Sequence, residues 1–96
     1  MAKGYVIFTE VVNDLDRLNQ YARAATPSVI QYGGNALVVD DSAEALEGEW
    51  HGSRTVVLEF ESVDAASSWY QSPEYQAVVA ERHAAAVSNG VIVSGL

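Results

Sequence analysis

The stretch from Glu47 to Tyr75 limits the possible folds more than any other part of the chain. Its centre, Thr55-Val56-Val57-Leu58-Glu59-Phe60-Glu61, is rich in β-branched and aromatic residues and follows Gly52, which predicts a strand. Side chains alternate across a strand. Arg54, Val56, Leu58 and Phe60 therefore share one face, and Thr55, Val57, Glu59 and Glu61 share the other. The apolar period then changes. Ser62 suits an N-cap and Asp64 adds negative charge at a positive helix end, while Val63, Ala66, Trp69 and Tyr70 follow at helical spacing. Ser72-Pro73-Glu74 repeats the start signal of cap, proline and acid, so the helix is expected to restart there with a change of direction.

The flanks complete an alternating order. Lys3 to Val11 reads as a first strand, with Val6 and Phe8 on one side and Tyr5, Ile7, Thr9 and Val11 on the other. Asn13 or Asp14 can cap a helix whose stripe is Leu15, Leu18, Ala22, Ala25 and Val29. Pro27 falls inside that pattern and is expected to kink or restart it, with Thr26 as the new cap. Tyr32-Gly33-Gly34 closes the helix, because glycine takes the left-handed conformation that ends one. Asn35 to Asp40 is a short second strand, and Asp41 to Glu49 an acidic connection. A last helix is expected from Pro73 to about Val87, with Tyr75, Val78, Val79, Arg82 and Ala86 on one face. Asn89-Gly90 then reads as a turn and Val91 to Ser94 as a closing strand.

The order β-α-β-β-α-β predicts an α+β, ferredoxin-like fold: a four-stranded antiparallel sheet with helices on one face and right-handed crossovers. At 96 residues the chain has room for one domain, residues 1–96. A domain of this size buries a modest fraction of its surface. Its helices cover one sheet face, yet strands one and three are apolar on both. A homodimer that pairs the remaining sheet faces is the economical solution.

Composition narrows the partners. The net charge of -8 disfavours nucleic acid and anionic membranes. The absence of cysteine removes disulfides, thiol catalysis and thiolate metal sites. No apolar run is long enough to span a bilayer, and the chain opens on a strand pattern rather than a signal peptide, so a cytoplasmic location is expected.

Several segments together are specific. They are Tyr32-Gly33-Gly34, Leu46-Glu47-Gly48-Glu49-Trp50, Arg54 leading into Val56 to Phe60, Ala65-Ala66 through Trp69-Tyr70, Ser72-Pro73-Glu74-Tyr75, and Arg82. Their combination, across nearly the whole chain, resembles domain-of-unknown-function family 1330, a family of small bacterial proteins. That family is similar to the dimeric α/β-barrel superfamily, which includes antibiotic-biosynthesis monooxygenases, haem-degrading monooxygenases and muconolactone isomerases. The resemblance implies a homodimer with a cleft between sheet and helices, and no defined reaction. The family pattern carries an aromatic early in the first helix, where Leu15 and Leu18 stand here, so a ligand preference of that wall does not carry over.

The residues with chemistry leave two readings each. Arg54, with Trp50 and His51 just before it, could be an anion clamp with His51 as acid or base, or a salt bridge beside a solvated loop histidine. Trp69, Tyr70 and Tyr75 could line a ligand cleft or simply fill the core, with Tyr75 the best placed to face a cavity through its hydroxyl. Arg82 shares the last helix with His83, which could bind haem iron as helix histidines do in the haem-degrading relatives. No paired-histidine motif is present, so no metal site and no cofactor are expected. Gly33-Gly34 follows a helix and precedes a strand, the reverse of a phosphate loop. Glu59 could pair with Arg82, pair with a partner, or act as a base. Two functions therefore stand side by side. One is a cofactor-free monooxygenase or isomerase acting on a small apolar, enolisable substrate in the cleft. The other is a non-catalytic homodimer that binds a small ligand or stabilises a partner.

Overall fold

The computed structural model describes residues 2–96. Its elements run β1 (Gly4–Val12), α1 (Leu15–Gln31), β2 (Asn35–Asp40), β3 (Arg54–Phe60), α2 (Val63–Gln71), α3 (Pro73–Gln76), α4 (Val79–Ala85) and β4 (Ala86–Ser94). The four strands form one antiparallel sheet in the order β2-β3-β1-β4. This is the ferredoxin-like arrangement expected from the sequence.

Local chemistry sets the element ends. Asp14 accepts from the Arg17 amide at 3.0 Å and caps α1. Gly33, at φ 77°, turns the chain out of that helix. The Ser62 hydroxyl accepts from the Ala65 amide to open α2, and the Ser72 hydroxyl accepts from the Tyr75 amide to open α3 behind Pro73. The break at Ser72-Pro73 is therefore a capped restart.

Three expectations about element boundaries need correction. Helix α1 runs through Pro27 without a restart, and the Thr26 hydroxyl donates back to the Ala22 carbonyl at 2.7 Å instead of capping a new helix. The last helix is two short ones, α3 and α4, and it ends at Ala85. Asn89-Gly90 is not a turn but lies within β4, opposite Thr9 and Phe8 of β1. Cross-strand pairing along all nine residues of β4 overrides the local turn preference. Gly90 has a packing role there, since a Cβ at this position would meet the Phe8 ring at 2.8 Å.

The core lies between the sheet and the helices. Val6, Phe8, Leu58 and Phe60 face it from the sheet; Leu18, Tyr21, Ala25 and Val29 close it from α1; Ala66, Trp69, Tyr75, Val79 and Ala85 close it from the other helices. Leu15 and Ala22, counted in the α1 stripe from spacing, are exposed, and Tyr21 and Ser28 are buried in their stead. The helices cover Phe60, so Val57 stands on the opposite, open face with Tyr5, Ile7, Thr9, Val91 and Val93. No helix among the described residues is long and apolar enough to cross a membrane.

Candidate functional site

A cavity of about 130 Å³ lies between α1 and the helix-facing side of the sheet. Phe8, Leu18, Ala25, Val29, Leu58 and Trp69 give it apolar walls. Four polar side chains, Glu10, Tyr21, Thr26 and Arg54, reach it. Glu10 belongs to the Val6–Phe8 side of β1, and Arg54 is its cross-strand neighbour at the start of β3. Alternation alone therefore puts a carboxylate and a guanidinium at the same end of an apolar floor.

Glu10 is the unusual group. It is only 3% exposed. Burial pushes its carboxyl above the usual carboxylate range, against the pull of Arg82, a 3.3 Å hydrogen bond from the Ser88 hydroxyl, and the Arg54 charge. Arg54 donates to both oxygens of Asp41, at 2.6 and 3.1 Å, so its side chain is held at the cavity wall by the β2–β3 connection. The Tyr21 hydroxyl pairs with that of Tyr75 at 2.7 Å, and burial drives the Tyr21 hydroxyl far above its ordinary pKa. Trp69 fixes the cavity's inner wall. Its indole donates to the Ser28 hydroxyl at 3.0 Å and its ring packs 4.1 Å from that of Tyr75 and 5.4 Å from that of Phe60.

The residues singled out from sequence do not all meet. Arg54 and Trp69 line the cavity. Tyr75 is buried and does not reach the wall; its partner Tyr21 does. Trp50 and His51 fold over the opposite, open face of the sheet. There the Trp50 indole donates to the Thr55 hydroxyl at 3.0 Å, and His51 Nδ1 lies 2.9 Å from the Thr9 hydroxyl. Tyr70, Arg82 and His83 border a separate cleft beside β4. Glu59 accepts from the Tyr5 hydroxyl at 3.0 Å on the open face, which removes the pairing with Arg82.

Sequence reasoning passed over Glu10 and Tyr21. The signal for Glu10 was present: an acid two residues beyond Phe8 on the same buried parity. Tyr21 stands three residues after Leu18, within the buried stripe of α1.

Comparison with known proteins agrees with this architecture. Residues 3–96 match the family described as Domain of unknown function (DUF1330). No curated protein matches the sequence. Among solved structures, the chain is similar to a protein of unknown function from Rhodopseudomonas palustris. That match has TM-score 0.79 and 19% identity and covers 99% of this chain and 83% of the other. It is also similar to a dimeric ferredoxin-like protein of unknown function from Thermobifida fusca, with TM-score 0.66 and 20% identity, covering 99% and 92%. A third is SnoaB, a cofactor-independent oxygenase from Streptomyces nogalater, with TM-score 0.67 and 14% identity, covering 95% and 90%. At these identities the likeness establishes the fold.

Proposed function

The chain belongs to the DUF1330 family, a domain of unknown function, and from its cavity we propose a cofactor-free enzyme that enolises a small, mostly apolar carbonyl compound. The observation that carries this reading is Glu10, a buried carboxylate with a raised pKa at the wall of an apolar cavity. The cavity compares with one that holds a single benzene ring, about 150 Å³. Glu10 takes a proton from the carbon beside the substrate carbonyl, and the C–H electron pair moves onto the carbonyl oxygen. Arg54 stabilises the enolate charge. Return of the proton to a conjugated carbon gives isomerisation with no redox change. If dioxygen captures the enolate instead, the carbanion gives it two electrons and a carbon hydroperoxide forms.

A six-membered β,γ-unsaturated cyclic ketone in D2O tests this. The expected result is deuterium incorporation and double-bond migration that Glu10→Gln abolishes. Oxygen uptake during the reaction distinguishes the oxygenase. Equal rates with and without protein overturn catalysis. A second reading, ligand binding without chemistry, draws on the satisfied Tyr21–Tyr75 and Trp69–Ser28 pairs at the inner end of the cavity. Saturable binding of the ketone with no exchange supports that reading.

The working unit in this proposal is a homodimer joined through the open sheet faces. Tyr5, Ile7, Val57, Val91 and Val93 make that face apolar at its centre, and the Thermobifida fusca protein of like fold is dimeric.

A further inference from the structure

A second cleft of about 340 Å³ lies on the other side of Phe8, between β4 and the α2–α4 helices. Gly90 lines it and presents no side chain on the helix-facing side of β4, where one would overlap the Phe8 ring. Val6, Phe8 and Ile92 give it apolar surface, and Tyr70, His83 and Ser88 border it. Arg82 belongs to its wall and is 3% exposed. The guanidinium stacks over the Phe8 ring, 4.0 Å from its centre, and one Nη lies 3.5 Å from the His83 ring. Its Nε has no hydrogen-bond partner among the described residues. A buried guanidinium with an unsatisfied donor is costly unless an acceptor completes it.

We propose that this cleft is a second binding site, for a small organic carboxylate with an apolar body, and that Arg82 is its cation. The apolar floor takes the body of the ligand. The carboxylate accepts from the guanidinium. Glu10 accepts from the Ser88 hydroxyl at the edge of the cleft and interacts with the Arg82 charge. A second negative charge on the ligand would be repelled by it, so the site selects a monoanion over phosphate. The cleft does not contain Arg54, Tyr21 or the α1 wall. It is thus distinct from the cavity assigned to enolisation.

Benzoate is the probe, followed by backbone amide shifts in an NMR titration, with benzyl alcohol and inorganic phosphate as controls. Saturable shifts centred on His83, Ser88 and Gly90 are expected. Loss of the charged contact should weaken binding about tenfold or more, both for benzyl alcohol and for benzoate on Arg82→Gln. Arg82 is buried, so Ser88→Leu, at the half-buried margin of the cleft, serves as an independent block. No shifts up to about 10 mM benzoate, which excludes even millimolar affinity, would overturn the site. So would shifts centred on Ala22 and Ala25 of α1, binding unchanged in both variants, or equal binding of phosphate. The ketone assay on Glu10→Gln reads the other cavity, so either proposal can fail alone.

Discussion

Glu10 and Arg54 stand directly opposite one another on β1 and β3, yet Arg54 makes its 2.6 Å hydrogen bond to Asp41 and no salt bridge to Glu10. The cation nearest in register is thus held by a loop acid, and Glu10 keeps the raised pKa that burial gives it. Asp41 adds to that rise, as a neighbouring negative charge. Asp41→Asn should therefore lower the Glu10 pKa and move the pH profile of deuterium exchange to lower pH. The exchanged acid is mostly exposed, so unfolding by urea should change by less than about 1 kcal/mol.

The same carboxyl makes a prediction for stability. Its folded pKa lies above the unfolded one, so its contribution is fully present below the unfolded value of about 4.3 and is lost as pH rises through the folded value. Wild type should lose stability relative to Glu10→Gln over that window, measured as urea midpoints at successive pH values. A difference independent of pH would contradict the burial of an ionisable group at position 10.

Tyr21 and Tyr75 are buried and both are pushed up by burial first. Their folded pKa values exceed the unfolded value of about 10, so their contribution holds below that pH and disappears above it. In an alkaline absorbance titration these two tyrosines should ionise only as the fold is lost. Tyr75→Phe leaves the Tyr21 hydroxyl without its partner and should cost about 1–3 kcal/mol.

Gly52 has φ 72°, and a Cβ there would overlap the backbone carbonyl of Glu10. Gly52→Ala combines backbone strain with a collision that no side chain can relieve. It should destabilise by about 2 kcal/mol or more, and it should slow exchange because the displaced carbonyl belongs to the proposed base.

Ile7 and Val57 are cross-strand neighbours at the centre of the open sheet face. Ile7→Glu or Val57→Glu should separate the protomers in sedimentation at micromolar concentration. Two chains at -8 each repel, and salt screens such repulsion over about 8 Å near physiological strength. The proposed dimer should therefore tighten from low to moderate salt. A dimer indifferent to both substitutions would place the interface elsewhere.

The strand order and the helix starts were legible because period, caps and proline act locally. Ser62, Ser72-Pro73 and Gly33 each do in the structure what their chemistry implies. Gly90 was misread because its reason is not local: the Phe8 ring, far away in sequence, occupies the place of its side chain. Arg54 was legible as a cation at the foot of a strand, whereas its partner Asp41 depends on where the connection folds. His51 and Arg54 are close in sequence but lie on opposite faces of the sheet, because His51 meets Thr9 while Arg54 shares the parity of Glu10.

Helix α1 is fastened at both ends. At its start the Ala85 carbonyl accepts from the Asn13 and Asp14 amides, at 2.8 and 3.0 Å, and Arg17 pairs with Glu81 at 2.7 Å. Toward its end Ser28 holds the Trp69 indole, and the Tyr32 hydroxyl donates to Glu74. A helix clamped in this way is a beam and not a flap. In the proposed reading a ligand then enters beneath it, past the small exposed side chains of Ala22, Thr26 and Ala36. The height of that slot is set by the spacing of helix and sheet, so the opening sorts molecules by thickness before any charged group sorts them by chemistry.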